Sequence, residues 1–248
     1  MFRVDLNCDL GEGAGRDEQL MPLITSANIA CGAHAGDEAT MRAALALARR
    51  HGVAAGAHPG YADRENFGRV ERPVTPEEVR ALVFGQVRLL QGLAAAAGIR
   101  LAHVKLHGAL YNQAARNTLL AAAAADAVYE ADPRLVYFAL AGSPGATAAR
   151  AAGLVVAEEV FADRGYQADG TLTPRGRPGA LIENETAAVA QVLGLVCEGR
   201  VRAGDGAVVS LRADTVCLHG DGAQAVAFAR RLRADLAAAG VAVEAFRP

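Results

Sequence analysis

Short apolar runs alternate with longer stretches of helical period along this chain, and the polar clusters follow the apolar runs rather than precede them. Arg3-Val4-Asp5-Leu6-Asn7 alternates and predicts a first strand. A glycine-rich, acidic loop over 8–15 and a short helix over 17–23 follow. Met41, Ala44, Leu45 and Ala48 share one face of a helix predicted over 37–51, capped by Asp37 and ended by Gly52. Thr75-Pro76-Glu77-Glu78 is a capping box with proline at the first helical position, so a helix starts there. It turns Val79, Leu82, Val83 and Leu90 inward and ends at Gly98. Further strands are predicted over 53–57, 99–106, 135–140, 154–161, 215–218 and 241–246. The strand over 99–106 is followed by one helix of about 15 residues ending near Ala131. Ser143-Pro144 opens a short helix, and two more cover 185–198 and 221–239. Glycine closes a helix ahead of an apolar strand at Gly52, Gly98, Gly153, Gly199 and Gly240.

Strands alternating with helices imply an α/β protein with parallel pairing and helices outside. About seven such units without a dinucleotide fingerprint favour a closed barrel over an open sheet. The expectation is an irregular, seven-stranded (β/α) barrel, one domain over 1–248. In a barrel, polar clusters that follow strands share the C-terminal rim, where active sites form. The stretch 162–182 is rich in glycine and proline and longer than an ordinary connector, so it reads as a rim loop that covers a site or meets a partner.

Composition narrows the function. An apolar content of 52% supports a large core, and a net charge of -2 gives no footprint for nucleic acid or an acidic membrane. The N-terminus runs into a strand containing an acid rather than an apolar leader, and charges interrupt every alanine-rich helix, so a soluble, cytoplasmic protein is expected. The four cysteines show no CxxC spacing and read as small buried hydrophobes. No Gly-Lys pair exists, so the glycine-rich loop is not a phosphate loop.

One grammar recurs at strand ends: histidine with glycine close by, in Asn28-Ile29-Ala30-Cys31-Gly32-Ala33-His34, Gly56-Ala57-His58-Pro59-Gly60, Lys105-Leu106-His107-Gly108 and Leu218-His219-Gly220-Asp221. Four of the six histidines stand there, while His51 and His103 read as structural. Lysine and arginine total 25, yet Lys105 is the only lysine. A compact ammonium is hard to replace by arginine where its chemistry is used. The candidate catalytic set is Asp9, His34, Asp37, His58, Lys105, His107, His219 and Asp221, with Asn7, Glu12, Asn112 and Arg164 as substrate-binding candidates. Glu158 and Asp163 join them on the expected rim. Asp37 and Asp221 have an equal reading as helix caps, and the asparagines as turn formers. Two chemistries fit: a divalent metal held by, for example, Asp9, His34 and His58, or metal-free acid–base catalysis with Lys105 stabilising negative charge. Both lead to hydrolysis of an amide-type bond.

These segments resemble the LamB/YcsF family, the A subunit of the prokaryotic 5-oxoprolinase. The resemblance runs through Asp5-Leu6-Asn7-Cys8-Asp9-Leu10-Gly11-Glu12, the stretches 28–37, 56–61 and 103–112, Phe67-Gly68-Arg69, Glu159-Val160-Phe161-Ala162-Asp163-Arg164, Asp169-Gly170 and His219-Gly220-Asp221. Leu106 departs from the family's more frequent proline and Leu218 from its frequent valine; both swaps are apolar. The resemblance implies a glycoside hydrolase/deacetylase-like barrel. It also implies ATP-dependent opening of 5-oxo-L-proline to L-glutamate together with B and C subunits, with ATP shared with or bound by those partners. The competing readings are a stand-alone metal-dependent deacetylase and a non-catalytic lactam-binding subunit.

Overall fold

The computed structural model describes residues 2–219 and 224–247. Seven parallel strands close into a barrel: β1 (Phe2–Leu10), β2 (Ser26–Ala30), β3 (Ala54–His58), β4 (His103–Lys105), β5 (Val136–Leu140), β6 (Val156–Phe161) and β9 (Thr215–Leu218). β1 closes it against β9, with Asp5 opposite Thr215 and Cys8 opposite Leu218. β7 (Arg200–Arg202) and β8 (Val208–Ser210) form a separate antiparallel hairpin. β10 (Val241–Val243) pairs in parallel with residues Phe2 to Val4 of β1. β1 is long enough to do both: its first third lies below the closure with β9 and takes β10 as an outer neighbour.

The helices are α1 (Asp17–Leu20), α2 (Glu38–His51), α3 (Pro76–Ala96), α4 (Gly108–Ala114), α5 (Thr118–Ala131), α6 (Pro144–Ala151), α7 (Glu185–Glu198) and α8 (Ala225–Ala238). Their ends are set locally. Asp37 accepts from Thr40 N at the start of α2, and Gly52 closes that helix in the left-handed conformation. Thr75 and Glu78 form both halves of the capping box on α3. The predicted single helix after β4 is two, because the Asn117 side chain accepts from Leu119 N and Leu120 N and starts α5 afresh. The strand predicted over 99–106 shortens to three residues, and the hairpin of β7 and β8 had no counterpart in the prediction. The proposed start of the last helix at Asp221 lies outside the described residues; α8 is seen from Ala225.

The main apolar core lies between barrel and helices. Leu6, Cys8 and Leu10 of β1, Val104 of β4 and Val160 of β6 meet Leu45, Val83 and Leu90 from the helices. Each such side chain contributes about 1.5–3 kcal/mol on full burial. The inside of the barrel is different. Asp5, Asn7 and Asp9 alternate inward along β1, with Asn28, His103, Lys105, Glu159 and Thr215 from other strands, all buried. Among the described residues Val136, Phe138 and Ala157 form a small separate apolar cluster, and His103 stacks on Phe138 at 4.2 Å.

His103 crosses the interior at the expense of β3. A Cβ at Gly56 would lie 2.2 Å from His103 Nε2, so glycine is required where the ring passes. Gly56→Ala is expected to lower stability by about 1–3 kcal/mol or more. The double variant with His103→Ala should be less destabilised than the sum of the two single changes. Thermal denaturation reads both; a Tm unchanged by Gly56→Ala alone would refute this packing.

Candidate active site

The floor of the site is a buried charge knot centred on Lys105. Its ammonium lies 2.9 Å from Asp9 Oδ1, 2.9 Å from Cys217 Sγ, 3.1 Å from Glu159 Oε1 and 3.3 Å from Asn7 Oδ1. Three N–H groups thus meet four acceptors contributed by β1, β6 and β9. Asn7 Nδ2 donates to Glu159 Oε1 (2.9 Å) and Thr215 Oγ1 (2.7 Å). Asn28 Nδ2 donates to Asn7 Oδ1 (2.7 Å) and Asp9 Oδ1 (2.8 Å), while His103 Nε2 donates to Asn28 Oδ1 (2.8 Å). Burial alone would pull the Lys105 ammonium down, but the Asp9 carboxylate foremost raises it above its ordinary value. Burial likewise pushes Asp9 up, and His58 and Lys105 overcome it to hold the carboxyl well below the usual range. Burial keeps His103 neutral, lowered to about 3.

Above this floor, at the C-terminal rim, three histidines meet Glu12. His34 comes from the loop after β2, His58 from the end of β3 and His107 from the cap position of α4. His34 and His107 stack with centroids 3.8 Å apart, and His58 stands edge-on to both. Glu12 Oε1 lies 3.3 Å from His34 Nε2, 3.4 Å from His107 Nδ1 and 3.9 Å from His58 Nε2. These four donor atoms all fall within 4.8 Å of one another and could hold a metal ion. Asp9, Cys217 and His219 form a second such group. Lys105 disfavours a cation there, because its own positive charge already sits 2.9 Å from both Asp9 Oδ1 and Cys217 Sγ. Burial also pushes the Cys217 thiol well up, so it is protonated.

His219 forms a third arrangement. Its Nδ1 donates to Asp163 Oδ2 at 2.8 Å, and Arg175 Nη2 donates to its Nε2 at 3.0 Å. Asp163 is pushed up by burial but brought below its ordinary value by His219. A deep recess of about 40 Å³ between Asp9, Lys105, His107 and His219 opens beside a cleft of about 370 Å³ lined by Arg69, Asn112, Arg116, Arg164 and Arg175. The recess holds about two or three waters, or one amide group, but no whole ring. The rim loop 162–182 walls the cleft. Arg164 fastens it from within, donating to Ala180 O (3.0 Å) and Thr173 O (2.7 Å).

The structure therefore brings together Asn7, Asp9, Glu12, His34, His58, Lys105, His107 and His219, with Asn112 and Arg164 in the cleft wall. It does not bring in Asp37, which is exposed and occupied as the α2 cap. Asp221 lies outside the described residues. Glu158 points away from the barrel, bonding Gly142 N and Arg150, and its neighbour Glu159 faces Lys105. Glu159 and the interior position of His103 were missed, as was the contact of Cys217 with Lys105. The period of two in β6 carried the signal for Glu159: it shares the inward face with Ala157 and Phe161. The example metal triad of Asp9, His34 and His58 also changes, since Asp9 belongs to the Lys105 knot while Glu12 and His107 complete the histidine group.

A parallel barrel with a histidine–carboxylate cluster on its C-terminal rim defines the class. The model of the LamB/YcsF family matches residues 4–248, and the chain belongs to that family. It is 54% identical over 245 residues to proteins from Neisseria meningitidis serogroups A and B that are named as the A subunit of 5-oxoprolinase, covering 99% of this chain and 100% of theirs. It superposes on the crystal structure of the lactam utilization protein from Thermus thermophilus with a TM-score of 0.91 and 44% identity, covering 98% of this chain and 100% of that one. Among the described residues no helix is long and apolar enough to cross a membrane.

Burial predicts the behaviour of the thiols. Cys8, Cys31 and Cys217 are buried and Cys197 is half-buried. Burial pushes Cys31 up to about 12, and Cys8 and Cys217 well above their ordinary value, so none forms thiolate at pH 8. Ellman's reagent at pH 8 should label Cys197 alone in the native protein and all four thiols in denaturant; rapid labelling of Cys217 would contradict the floor described here.

Proposed function

We propose that this chain is the A subunit of an ATP-dependent 5-oxoprolinase, which with B and C subunits opens the lactam of 5-oxo-L-proline to L-glutamate. The observation that carries the reading is the arginine-lined cleft leading down to a recess of amide size beside Asp9, Lys105, His107 and His219. Both the carboxylate of the lactam and a phosphate placed on its carbonyl oxygen are anions, and arginine is the side chain that grips such groups in two places. The names carried by the 54% identical relatives point to the same substrate.

An unstrained five-membered lactam resists water, so coupling to ATP supplies the driving force. In the net reaction two waters are consumed: the ring C–N bond breaks, the carbonyl carbon gains one oxygen and the nitrogen leaves as an amine, while the second water's oxygen balances the cleavage of ATP to ADP and phosphate. ATP is bound by or shared with the partner subunits in this reading, since the chain has no Gly-Lys phosphate loop. The ring lies in the cleft with its amide end in the recess. Arg175 turns from His219 to the anion, which releases His219 Nε2. With its Nδ1–H held by Asp163, His219 then takes a proton from the attacking water. Lys105 is saturated by its own partners, so its role shifts from holding a substrate anion to fixing Asp9. Asn112 and Arg164 line the substrate's path.

The stand-alone deacetylase reading is favoured by the three-histidine, one-glutamate group. Acetate released from an acetylated sugar or amine by this chain alone would support it. A purely lactam-binding role is tested by single turnover of the B and C subunits with and without this chain. If the partners alone released glutamate, chemistry would not reside here.

In the reconstituted complex, His219→Asn and Lys105→Ala are each expected to lower glutamate formation by about 100-fold or more. Full activity in both would sink the assignment. Lys105→Ala should also destabilise the fold by about 3–5 kcal/mol, because it strands the Asp9 charge in the interior. Asp37→Ala should lower Tm by a few degrees and leave turnover intact. Lost turnover in a folded Asp37→Ala protein would return that residue to a catalytic role.

A further inference from the structure

The ring nitrogens at the rim show what the histidine group is built to hold. His58 Nδ1 donates to the Lys105 carbonyl at 2.8 Å, and His107 Nε2 donates to the Phe67 carbonyl at 2.8 Å. A carbonyl can only accept, so these bonds fix both tautomers. In its neutral form each of these imidazoles has one N–H, which leaves a lone pair on His58 Nε2 and on His107 Nδ1. Those two atoms face each other at 2.9 Å. Glu12 Oε1, a further acceptor, lies 3.3 Å from His34 Nε2 and 3.4 Å from His107 Nδ1. A single proton could bridge one of these pairs. It could not serve all four converging atoms.

The surroundings hold the rings in this arrangement at a conformational cost. Phe67 adopts a φ of 54°, in the left-handed region that a bulky side chain rarely occupies, and this turn carries its carbonyl over His107. A Cβ at Gly60 would stand 2.8 Å from His34 Nδ1, and one at Gly68 would stand 2.9 Å from His34 Cβ. The loop can therefore press on the stacked rings only with glycine at both places. His34 Nδ1 is buried with no hydrogen-bond partner among the described residues, so packing sets that ring while its Nε2 points at Glu12.

We propose that Glu12, His34, His58 and His107 form a binding site for one divalent transition-metal ion of the zinc type, through Glu12 Oε1, His34 Nε2, His58 Nε2 and His107 Nδ1. Bonds of about 2.0–2.1 Å place tetrahedral ligands about 3.3–3.4 Å apart. Four of the six separations between these atoms, 2.9, 3.3, 3.4 and 3.9 Å, bracket that value, and all six lie within 4.8 Å. Three imidazoles select a first-row transition ion over magnesium or calcium, which take oxygen ligands. The backbone carbonyls behind His58 and His107 are the outer partners that orient metal-bound histidines. Bound there, the ion supplies polarisation of a carbonyl or activation of a water beside the recess. The inference rests on the ring geometry and holds whether the substrate is a lactam or an acetylated amine.

The test is metal binding by the purified full chain, read without substrate, ATP or partner subunits. After chelation, Co2+ is titrated in and followed by its visible absorption, and X-ray absorption spectra are recorded on the Zn2+ form. The expected result is saturation near one ion per chain, with an imidazole-rich shell at about 2.0–2.1 Å. His107→Gln and Glu12→Gln, each verified as folded by circular dichroism, should weaken Co2+ binding by more than about 100-fold, beyond the loss typical of an outer partner. Asp37→Ala should leave it unchanged. Absence of Co2+ uptake, or uptake indifferent to both glutamine variants, would overturn the proposal. Because no turnover is measured, a failed glutamate assay leaves this result standing, and a failed titration leaves the lactam reading standing.

Discussion

The structure depends on one buried ammonium. Lys105 sits inside the barrel, where an unpaired charge costs several kcal/mol even after relaxation. Four acceptors from three other strands offset that cost: Asn7 and Asp9 from β1, Glu159 from β6 and Cys217 from β9. β1, β4, β6 and β9 are thereby tied at one depth. A slip of one residue in any of them would turn an acceptor outward and leave the charge unmatched. An apolar interior would tolerate more registers, so the knot specifies one barrel as well as building the floor of a site. It also explains why the single lysine resists arginine. A guanidinium is planar and larger, with its donors spread in a fork, and could not converge on these four atoms.

Close packing around this floor transfers its order to the rim. Asn28 and His103 extend the hydrogen-bonded network across β2 and β4, and Gly56 admits the His103 ring. Lys105 lends its carbonyl to His58, so one residue anchors the floor by its side chain and the rim by its backbone. The loop after β3 then closes from above, with Phe67 bent into an unusual conformation to reach His107. On the other wall the loop 162–182 is fastened by Arg164 through two of its own carbonyls. One wall is held by packing and a strained turn, the other by Arg164, by Gln191 Nε2 on the Arg164 carbonyl and by backbone bonds such as Ile182 N to Asp163 O. Arg175, which caps His219, belongs to the second wall.

Much of this was legible in the sequence, for identifiable reasons. Helix boundaries came through where a cap is written locally, as at Asp37, Thr75-Pro76 and Gly52. The order of strands and helices gave a parallel barrel, and polar residues following strands gave its C-terminal rim. What failed were features that only neighbours decide. Asn117 breaks a continuous helical pattern because its side chain caps α5, and asparagine inside such a pattern is silent on its own. The hairpin of β7 and β8 is short and its burial alternates weakly. Glu158 and Glu159 stand side by side in the sequence, and only the inward face of β6 separates the surface partner of Arg150 from the buried partner of Lys105. His103 reads as structural because it stands within a strand, with no glycine beside it in the sequence. Its glycine is Gly56, on the next strand.

The two groups at the strand ends divide the site electrostatically. Below, Lys105 brings its own cation to Asp9, Glu159 and Cys217, and that charge repels any second cation from the same carboxylates. Above, among the described residues, the hydrogen bonds of Glu12, His34, His58 and His107 run to one another and to backbone carbonyls, and their donor atoms gather in one place. Asp9 spans the boundary: Oδ1 faces Lys105 and Oδ2 lies 3.3 Å from His58 Nε2. Neutralising Asp9 from below limits how strongly it can draw a proton or an ion away from His58. The lone lysine thus acts on the rim twice, through Asp9 by its ammonium and through His58 by its carbonyl. In the proposed reaction the substrate carbonyl enters from the arginine-lined cleft and meets this boundary, with positive charge on one side and donor atoms on the other. Polarising that carbonyl and aiming water at it, as that reaction requires, need two such faces a few ångströms apart, and the strands of the barrel hold Lys105 and the histidine group at that spacing.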